Sequence, residues 1–242
     1  MVQLNPRLAA VARWVPLASR VADVGTDHGY LPIALLESGR ARSVIACDIS
    51  RGPLENARRN IEAAGVCGVQ LRLGDGLSPV RPDEVDCVTV AGMGGDLMAR
   101  ILDGAAWLRN PDKRLILQPM SAAEELRAYL YTAGYGIHRE RAVPDHGRLY
   151  VVMEACFGGD RWAAPNLPLS LPLRVGGRAF VGGLPQNADG YALAYIDRQL
   201  DRLEKWAAAI QTVERKQAEY HRLVEILEEI RALRPQGIAA RW

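Results

Sequence analysis

The alternation of strand-like and helical patterns, which ends in two strands separated by a short connection, most constrains the fold. Strand-like apolar runs are predicted at residues 20–24, 43–47, 69–73, 85–90 and 114–117. Helices are predicted at residues 6–18, 31–38, 53–64, from about residue 96, and at 121–133. Because strands and helices alternate, a mainly parallel sheet with helices on both faces is expected.

The last two predicted strands, at residues 135–142 and 149–156, are joined by only the six residues 143–148. A crossover between parallel strands needs about a dozen residues, so this pair must form an antiparallel hairpin. Five parallel strands and a terminal hairpin are typical of class I S-adenosylmethionine-dependent methyltransferases, whereas a nicotinamide-type Rossmann domain normally ends with a parallel sixth strand. The predicted fold is therefore α/β and Rossmann-like, with a mainly parallel seven-stranded sheet.

The remainder of the chain predicts a linker and a helical tail. Residues 160–190 are rich in Gly and Pro, which favours a loop after a first domain at residues 1–159. Apolar residues at Ile196, Leu200, Leu203, Ala207 and Ile210 have a heptad-like spacing, which predicts a coiled-coil-like domain at residues 191–242. A single helix of about 65 Å and a hairpin broken near residues 211–216 both fit this pattern.

Composition and charge limit the kinds of protein that this sequence can encode. Apolar residues make up 49% of the 242 and charged residues 24%, as in a soluble globular protein, and no apolar run reaches the ~18–20 residues of a membrane span. The N-terminus lacks a signal-peptide core, so a cytoplasmic protein without a membrane partner is expected. The four cysteines form no CxxC pair, which disfavours a metal site. A net charge of +2 leaves only local patches for nucleic-acid binding.

The loop after the first strand carries the strongest chemical signal. It contains Asp23-x-Gly25-x-x-x-Gly29, with Asp27 between the two glycines. Glycines let the backbone approach a ligand above the strand ends. A carboxylate repels a pyrophosphate but attracts the ammonium or sulfonium of S-adenosylmethionine, so this cofactor is favoured over a dinucleotide. The alternative is a strand-to-helix turn with no ligand.

Carboxylates at the ends of the next two strands extend this site. Asp48 ends the second strand, where a carboxylate can accept hydrogen bonds from ribose hydroxyls, and Ile49 could pack on the adenine. Asp75 lies in a Gly-Asp-Gly turn after the third strand and could contact the adenine amine. A helix N-terminal charge at Asp48 and a simple turn at Asp75 are the structural alternatives.

The loops after the fourth and fifth strands would face the methyl acceptor. Glycines in Ala91-Gly-Met-Gly-Gly95 leave room for a flat base, on which Met93 could pack, unless the loop only permits close packing. The Asp/Asn-Pro-Pro-aromatic tetrapeptide, usual in enzymes that methylate exocyclic amines, does not occur at this position. The Gln118 amide could bind a base edge or close a loop backbone. His28 could serve as an acid or base, or hold its loop.

Together these motifs resemble the bacterial tRNA (adenine-N1)-methyltransferase family that modifies a D-loop adenine, the TrmK family. The segments that carry the resemblance are Leu4-x-Pro6-Arg7-Leu8, residues 23–32, residues 73–77, residues 91–95 and Gln118-Pro119. The resemblance implies S-adenosylmethionine as cofactor, tRNA as partner, and methyl transfer to adenine N1. The candidate cofactor-binding residues are Asp23, Gly25, Thr26, His28, Gly29, Asp48, Ile49, Asp75, Gly76 and Gly92. The candidate catalytic residues are Asp27, Met93, Gly94 and Gln118.

Two rival functions stay open: a methyltransferase of the same fold that acts on a small molecule, and a cofactor-binding or RNA-binding protein without catalysis. If RNA is the substrate, arginines and lysines should contact its phosphates. The candidates are Arg7, Arg13, Arg20, Arg198, Arg202, Lys205, Arg215, Lys216 and Arg222. The tail could instead pack only on itself or form a homodimer, so a monomer and a homodimer are both compatible with the sequence.

Overall fold

One mixed sheet organises the molecule. The computed structural model of the chain describes residues 2–159, 168–187, 189–237 and 239–240. Its strands are Ser19–Val24 (β1), Ala41–Asp48 (β2), Val69–Leu73 (β3), Cys87–Gly94 (β4), Arg114–Ser121 (β5), Tyr135–Asp145 (β6) and Arg148–Phe157 (β7). They are ordered β3-β2-β1-β4-β5-β7-β6, and the first five are parallel. This arrangement confirms the predicted seven-stranded fold and leaves β3 and β6 at the two edges.

Helices cover both faces of the sheet. The first five are Pro6–Trp14 (α1), Tyr30–Glu37 (α2), Arg51–Ala64 (α3), Gly95–Asp103 (α4) and Ala123–Ala133 (α5). Apolar residues of α1 and α2 pack in one buried cluster, and those of α4 and α5 pack in the other. Helix α1 ends four residues earlier than predicted, because Val15 precedes Pro16 and takes an extended conformation.

The β6–β7 hairpin is antiparallel as predicted, but its connection is shorter. Asp145 pairs with Arg148, so only His146 and Gly147 form the turn, with φ values of 45° and 71°. Two consecutive positive φ angles match the tight turns that suit the twist of a hairpin. The predicted six-residue loop is wrong because β6 continues through Pro144, which an edge strand tolerates.

The segment expected to be a linker contains ordered structure. Short helices occupy Leu171–Val175 (α6) and Gly177–Val181 (α7), and a 3₁₀ turn follows at Leu184–Asn187. Leu173, Val175 and Phe180 are buried in the same core as the sheet. The prediction of an irregular loop is therefore wrong for this stretch, while residues 160–167 and 188 lie outside the described part.

The tail is a helical hairpin. Helices Gly190–Ile210 (α8) and Gln217–Leu233 (α9) pack against each other and are separated by a 3₁₀ turn at Glu214–Lys216. The break falls where the sequence allowed it, so the alternative of one long helix is wrong. Nowhere in the described residues does a helix have the length and apolarity of a membrane span.

A buried ion pair between α5 and β6 also binds the backbone of the α6–α7 segment and the residues just after it. Arg127 on α5 and Glu140 on β6 have no exposed side-chain surface. The Arg127 Nε and Nη2 donate to Glu140 Oε1 at 2.9 and 2.6 Å, and its Nη1 donates to the carbonyls of Ala179 and Phe180. The Gly183 N–H donates to Glu140 Oε2 at 2.9 Å. The α6–α7 segment is thus part of the same hydrogen-bonded core as α5 and β6.

Candidate active site

The loop after β1 adopts a backbone that requires glycine. Gly25 and Gly29 have φ angles of 72° and 71°, and Asp27 between them has a φ of 51°. A Cβ on Gly25 would lie 2.1 Å from the Cε of Met93, which lies near the end of β4, because this strand continues to Gly94 and not only to residue 90 as predicted. Gly25 is therefore favoured by its positive φ, and a Cβ at this position would also require the flexible Met93 side chain to move.

Two neighbouring cavities lie at the carboxyl ends of the strands. The first, of about 610 Å³, is lined by Asn5, Arg7, Leu8, Asp23, Gly25, Thr26, Asp27, His28, Tyr30, Leu31, Asp48, Ala91, Gly92, Met93 and Met120. The second, of about 690 Å³, is lined by Ile49, Asp75, Gly76, Leu77, Ser78, Val80, Leu97, Arg100, Ile101, Gly104, Ala105 and Trp107. Asp48 and Ile49 are consecutive in the chain, so the cavities adjoin.

Eleven of the fourteen candidate residues line these cavities. The other three are Gly29, Gly94 and Gln118. Gly29 and Gly94 immediately precede α2 and α4, so they lie next to the cavities without lining them. Sequence reasoning placed no functional role on Asn5, Leu8 or Met120, which complete the wall of the first cavity. The one sequence signal for a role of these three residues was their position within or next to the motifs that carry the family resemblance.

The two carboxylates expected to bind the cofactor have different surroundings. Asp23 is only 3% exposed, and its Oδ1 accepts a hydrogen bond from Thr89 Oγ1 at 2.7 Å. Burial raises the pKa of Asp23 to about 6, against the lowering effect of that hydrogen bond. Asp48 is more exposed, and its carboxylate accepts backbone N–H bonds from Ser50 at 2.9 Å and Asp27 at 3.4 Å.

The raised pKa of Asp23 leads to a prediction about how ligand binding depends on pH. If Asp23 holds the ammonium of S-adenosylhomocysteine, as the sequence predicts for this site, it does so as the ionised carboxylate, which is lost as the pH falls through about 6. We expect the dissociation constant of S-adenosylhomocysteine to stay constant above pH 7. Below pH 6 it should rise by up to about tenfold for each pH unit. Calorimetry across pH 5–8 measures this dependence, and Asp23→Asn should bind weakly with a flatter profile. An equally steep profile in Asp23→Asn would assign the proton to another group.

Two aromatic rings border the first cavity. His28 and Tyr30 stack with centroids 5.5 Å apart and an interplanar angle of 20°, and His28 Nε2 lies 3.6 Å from Asp27 Oδ2. The carbonyl of His28 accepts a hydrogen bond from Asn60 Nδ2. These contacts agree with the loop-holding alternative for His28. Tyr30 remains 42% exposed, and Ile49 and Met120 are also exposed apolar residues around the cavities.

Contrary to the prediction, Gln118 does not line the first cavity. Its side chain is fully buried, its Nε2 donates to the Pro119 carbonyl, and its Oε1 accepts from Arg7 Nη1 at 2.8 Å. The structure therefore corrects its assignment as a base-edge contact and agrees with the loop-closing alternative. The hydrogen bonds of Gln118 are instead used to hold Arg7, which does line the cavity.

Most of the cations expected to contact phosphate have acidic partners within the chain. The ion pairs are Arg20–Asp86 at 2.6 Å, Arg202–Glu124 at 2.7 Å, Lys205–Asp201 at 2.7 Å, Lys216–Glu219 at 3.6 Å and Arg222–Glu225 at 2.7 Å. Arg222 is also mostly buried, and its Nε donates to the Leu173 carbonyl. These pairs weaken the expectation of a phosphate-binding tail, because much of its positive charge is balanced locally.

The chain is similar to known methyltransferases. Residues 4–153 match the family model of a methyltransferase domain. The chain is 37% identical to the tRNA (adenine(22)-N(1))-methyltransferase of Bacillus subtilis, over 72% of this chain and 74% of that protein.

Solved structures agree over nearly the whole chain. The crystal structure of the B. subtilis m1A22 tRNA methyltransferase TrmK superposes with a TM-score of 0.82 and 31% identity, covering 96% of this chain and 99% of that one. Streptococcus pneumoniae Sp1610, solved with S-adenosyl-L-methionine, superposes with a TM-score of 0.73 and 31% identity, covering 94% and 97%. The chain therefore belongs to the TrmK family of tRNA (adenine-N1)-methyltransferases.

Proposed function

We propose that this protein transfers a methyl group from S-adenosylmethionine to N1 of an adenine in tRNA, at the position that corresponds to adenine 22. The observation that carries the proposal is the convergence of Asp23, Gly25 and Asp48 on one cavity, beside a second cavity with Ile49 and Asp75. Family membership supports the same activity over a small-molecule substrate or a non-catalytic role.

The side chains present fit S-adenosylmethionine. Asp23 would offer a buried carboxylate to the ammonium, and Asp48 would offer a half-buried one to the ribose hydroxyls. Ile49 and Asp75 would hold the adenine in the second cavity. The first cavity, which Gly25 and Gly92 also line, would accept the chain that joins these two ends. When bound, the cofactor supplies an electrophilic methyl group on a sulfonium.

The acceptor atom sets what the protein has to do. Adenine N1 carries an in-plane lone pair, so no base is needed to expose the nucleophile, and catalysis is mostly positioning. Because N1 lies on the pairing edge, the base must come from a loop or be flipped out of its stack. Gly92 and Met93 would border the base, and the Asp27 carboxylate would stabilise either the cofactor or the developing adeninium cation.

Asp48→Ala should weaken the binding of S-adenosylhomocysteine by about 1–3 kcal/mol, because charge-assisted hydrogen bonds to the ribose are lost. The fold should survive, since the side chain lies at a strand end with its carboxylate facing the cavity. Calorimetry measures the change, and thermal unfolding provides the control for folding. An unchanged dissociation constant in a folded variant would remove Asp48 from the binding site.

The proposed activity is tested with labelled S-adenosylmethionine and unmodified tRNA, followed by digestion and mass spectrometry of the nucleosides. We expect 1-methyladenosine, separated from its N6 isomer by retention time. N6-methyladenosine alone would contradict the mechanism while leaving RNA as substrate. Methyl transfer to a small molecule but not to tRNA would favour the rival methyltransferase.

Two further proposals concern the setting of the reaction. A tRNA substrate favours a cytoplasmic location, which localisation of a tagged full-length chain would test. A monomer or a homodimer is proposed as the working form, and light scattering at assay concentrations distinguishes them.

A further inference from the structure

Arg7 at the start of α1 is held in place by buried groups. Its Nε donates to Asp145 Oδ2 at 2.6 Å, and its Nη1 donates to Gln118 Oε1 at 2.8 Å. The Asp145 side chain is 3% exposed and Gln118 is fully buried. The guanidinium carbon lies 5.0 Å from the centroid of the Tyr150 ring. These contacts fix the orientation of a side chain that is itself only 15% exposed.

The charge of Arg7 is unusual for its cavity. Among the described residues that line the first cavity, it is the only arginine or lysine, while Asp23, Asp27 and Asp48 supply carboxylates. The hydrogen bonds of Arg7 to described residues come from Nε and Nη1. A guanidinium has five N–H donors in a planar fork, so the Nη2 edge remains able to bind an oxyanion.

The position of Arg7 relative to the strands of the sheet indicates which oxyanion it binds. Its partners Gln118 and Asp145 belong to β5 and β6, whereas Asp48 belongs to β2. The order β2-β1-β4-β5 puts three strand spacings, roughly 14 Å, between the ends of β2 and β5. Arg7 therefore lies across β4 from the ribose-binding carboxylate, on the side left for the acceptor nucleoside. We propose that Arg7 binds the phosphate of the target nucleotide, an inference that rests on the proposed tRNA substrate.

Two variants test this inference. Arg7→Lys keeps the charge beside Asp145 but removes the planar fork. Arg7→Met/Asp145→Leu removes both charges, which avoids leaving a buried carboxylate unpaired. A matched control is Arg58→Ala, an exposed arginine that is paired with Glu55 on α3. Each protein is titrated with tRNA at several salt concentrations and, separately, with S-adenosylhomocysteine by calorimetry.

We expect the double variant to bind tRNA at least tenfold more weakly and to lose about 0.7–0.9 from the slope of log K against log salt, as for one phosphate contact. Arg7→Lys should lose affinity about threefold or more with a nearly unchanged slope, because its charge remains. Arg58→Ala should match the wild type. S-adenosylhomocysteine should bind all four proteins within about threefold, which also shows that they are folded.

Other outcomes would overturn the inference. Unchanged tRNA affinity and salt slope in a double variant that still binds S-adenosylhomocysteine would make Arg7 a purely structural residue. Weaker binding of S-adenosylhomocysteine, with normal binding of methylthioadenosine, which lacks the carboxylate, would assign Arg7 to the cofactor instead. Failure of the wild-type protein to bind tRNA would contradict the proposed substrate itself, so the two failures are distinguishable.

Discussion

Arg127→Met should lower the free energy of unfolding by about 3–5 kcal/mol, because it leaves the carboxylate of Glu140 buried without its cation. The change also removes the donors to the carbonyls of Ala179 and Phe180. Urea denaturation followed by circular dichroism measures the loss. This is a large fraction of the stability of an ordinary domain, so the variant should be close to unfolding at 37 °C.

The matched double variant Arg127→Met/Glu140→Leu separates the two causes. It replaces both buried charges by apolar groups, so it should recover part of the loss. The two carbonyls and the Gly183 N–H remain without their partners, and recovery should therefore be incomplete. A loss below about 1 kcal/mol in the single variant would show that the ion pair is not needed to hold α6 and α7.

A chain that ends at Gly159 should fail to fold. The sequence suggested that the first 159 residues form a separate domain, so this truncation distinguishes that division from a single cooperative unit. Removal of α6–α9 uncovers Arg127 and Glu140 together with the apolar surface that packs against Phe180, Ile196 and Leu203. We expect an insoluble or partly folded fragment with no measurable binding of S-adenosylhomocysteine.

Solubility, a cooperative thermal transition and calorimetry with S-adenosylhomocysteine measure the outcome against the full-length chain. A soluble fragment that binds within a few fold of the full chain would contradict the expectation. It would show that the sheet and its first five helices are stable alone, as the sequence suggested.

The sheet was predictable because its signals are local. Apolar runs marked each parallel strand, and residues at strand ends such as Asp23 and Asp48 converge in any sheet of this topology. The predictions were wrong where the tertiary structure overrode a local sequence pattern. The predicted end of β6 at residue 142 was too early, since an edge strand tolerates Pro144, and the Gly-rich and Pro-rich composition suggested a loop where Gly176 and Gly182 separate short buried elements.

Within the site, the sequence could not show which polar groups are already occupied. Gln118 was a reasonable ligand for a base until its partner proved to be Arg7, 111 positions away in the chain. Arg202 and Arg222 were likewise reasonable phosphate contacts, but Arg202 pairs with Glu124 on α5, and the Nε of Arg222 donates to the Leu173 carbonyl on α6. Such pairings depend on how helices pack, and helical periodicity does not encode them.

The two edges of the sheet bear on how the protein resists unwanted association. An exposed strand edge offers unpaired N–H and C=O groups to which another chain can add a strand, as in aggregation and amyloid growth. Here β3 is only five residues long and carries Arg72, while β6 carries Arg139 and Arg141 and the donor-free nitrogen of Pro144. Short length, charge and proline each hinder strand addition, so the molecule is protected against edge-to-edge polymerisation during folding and at high concentration.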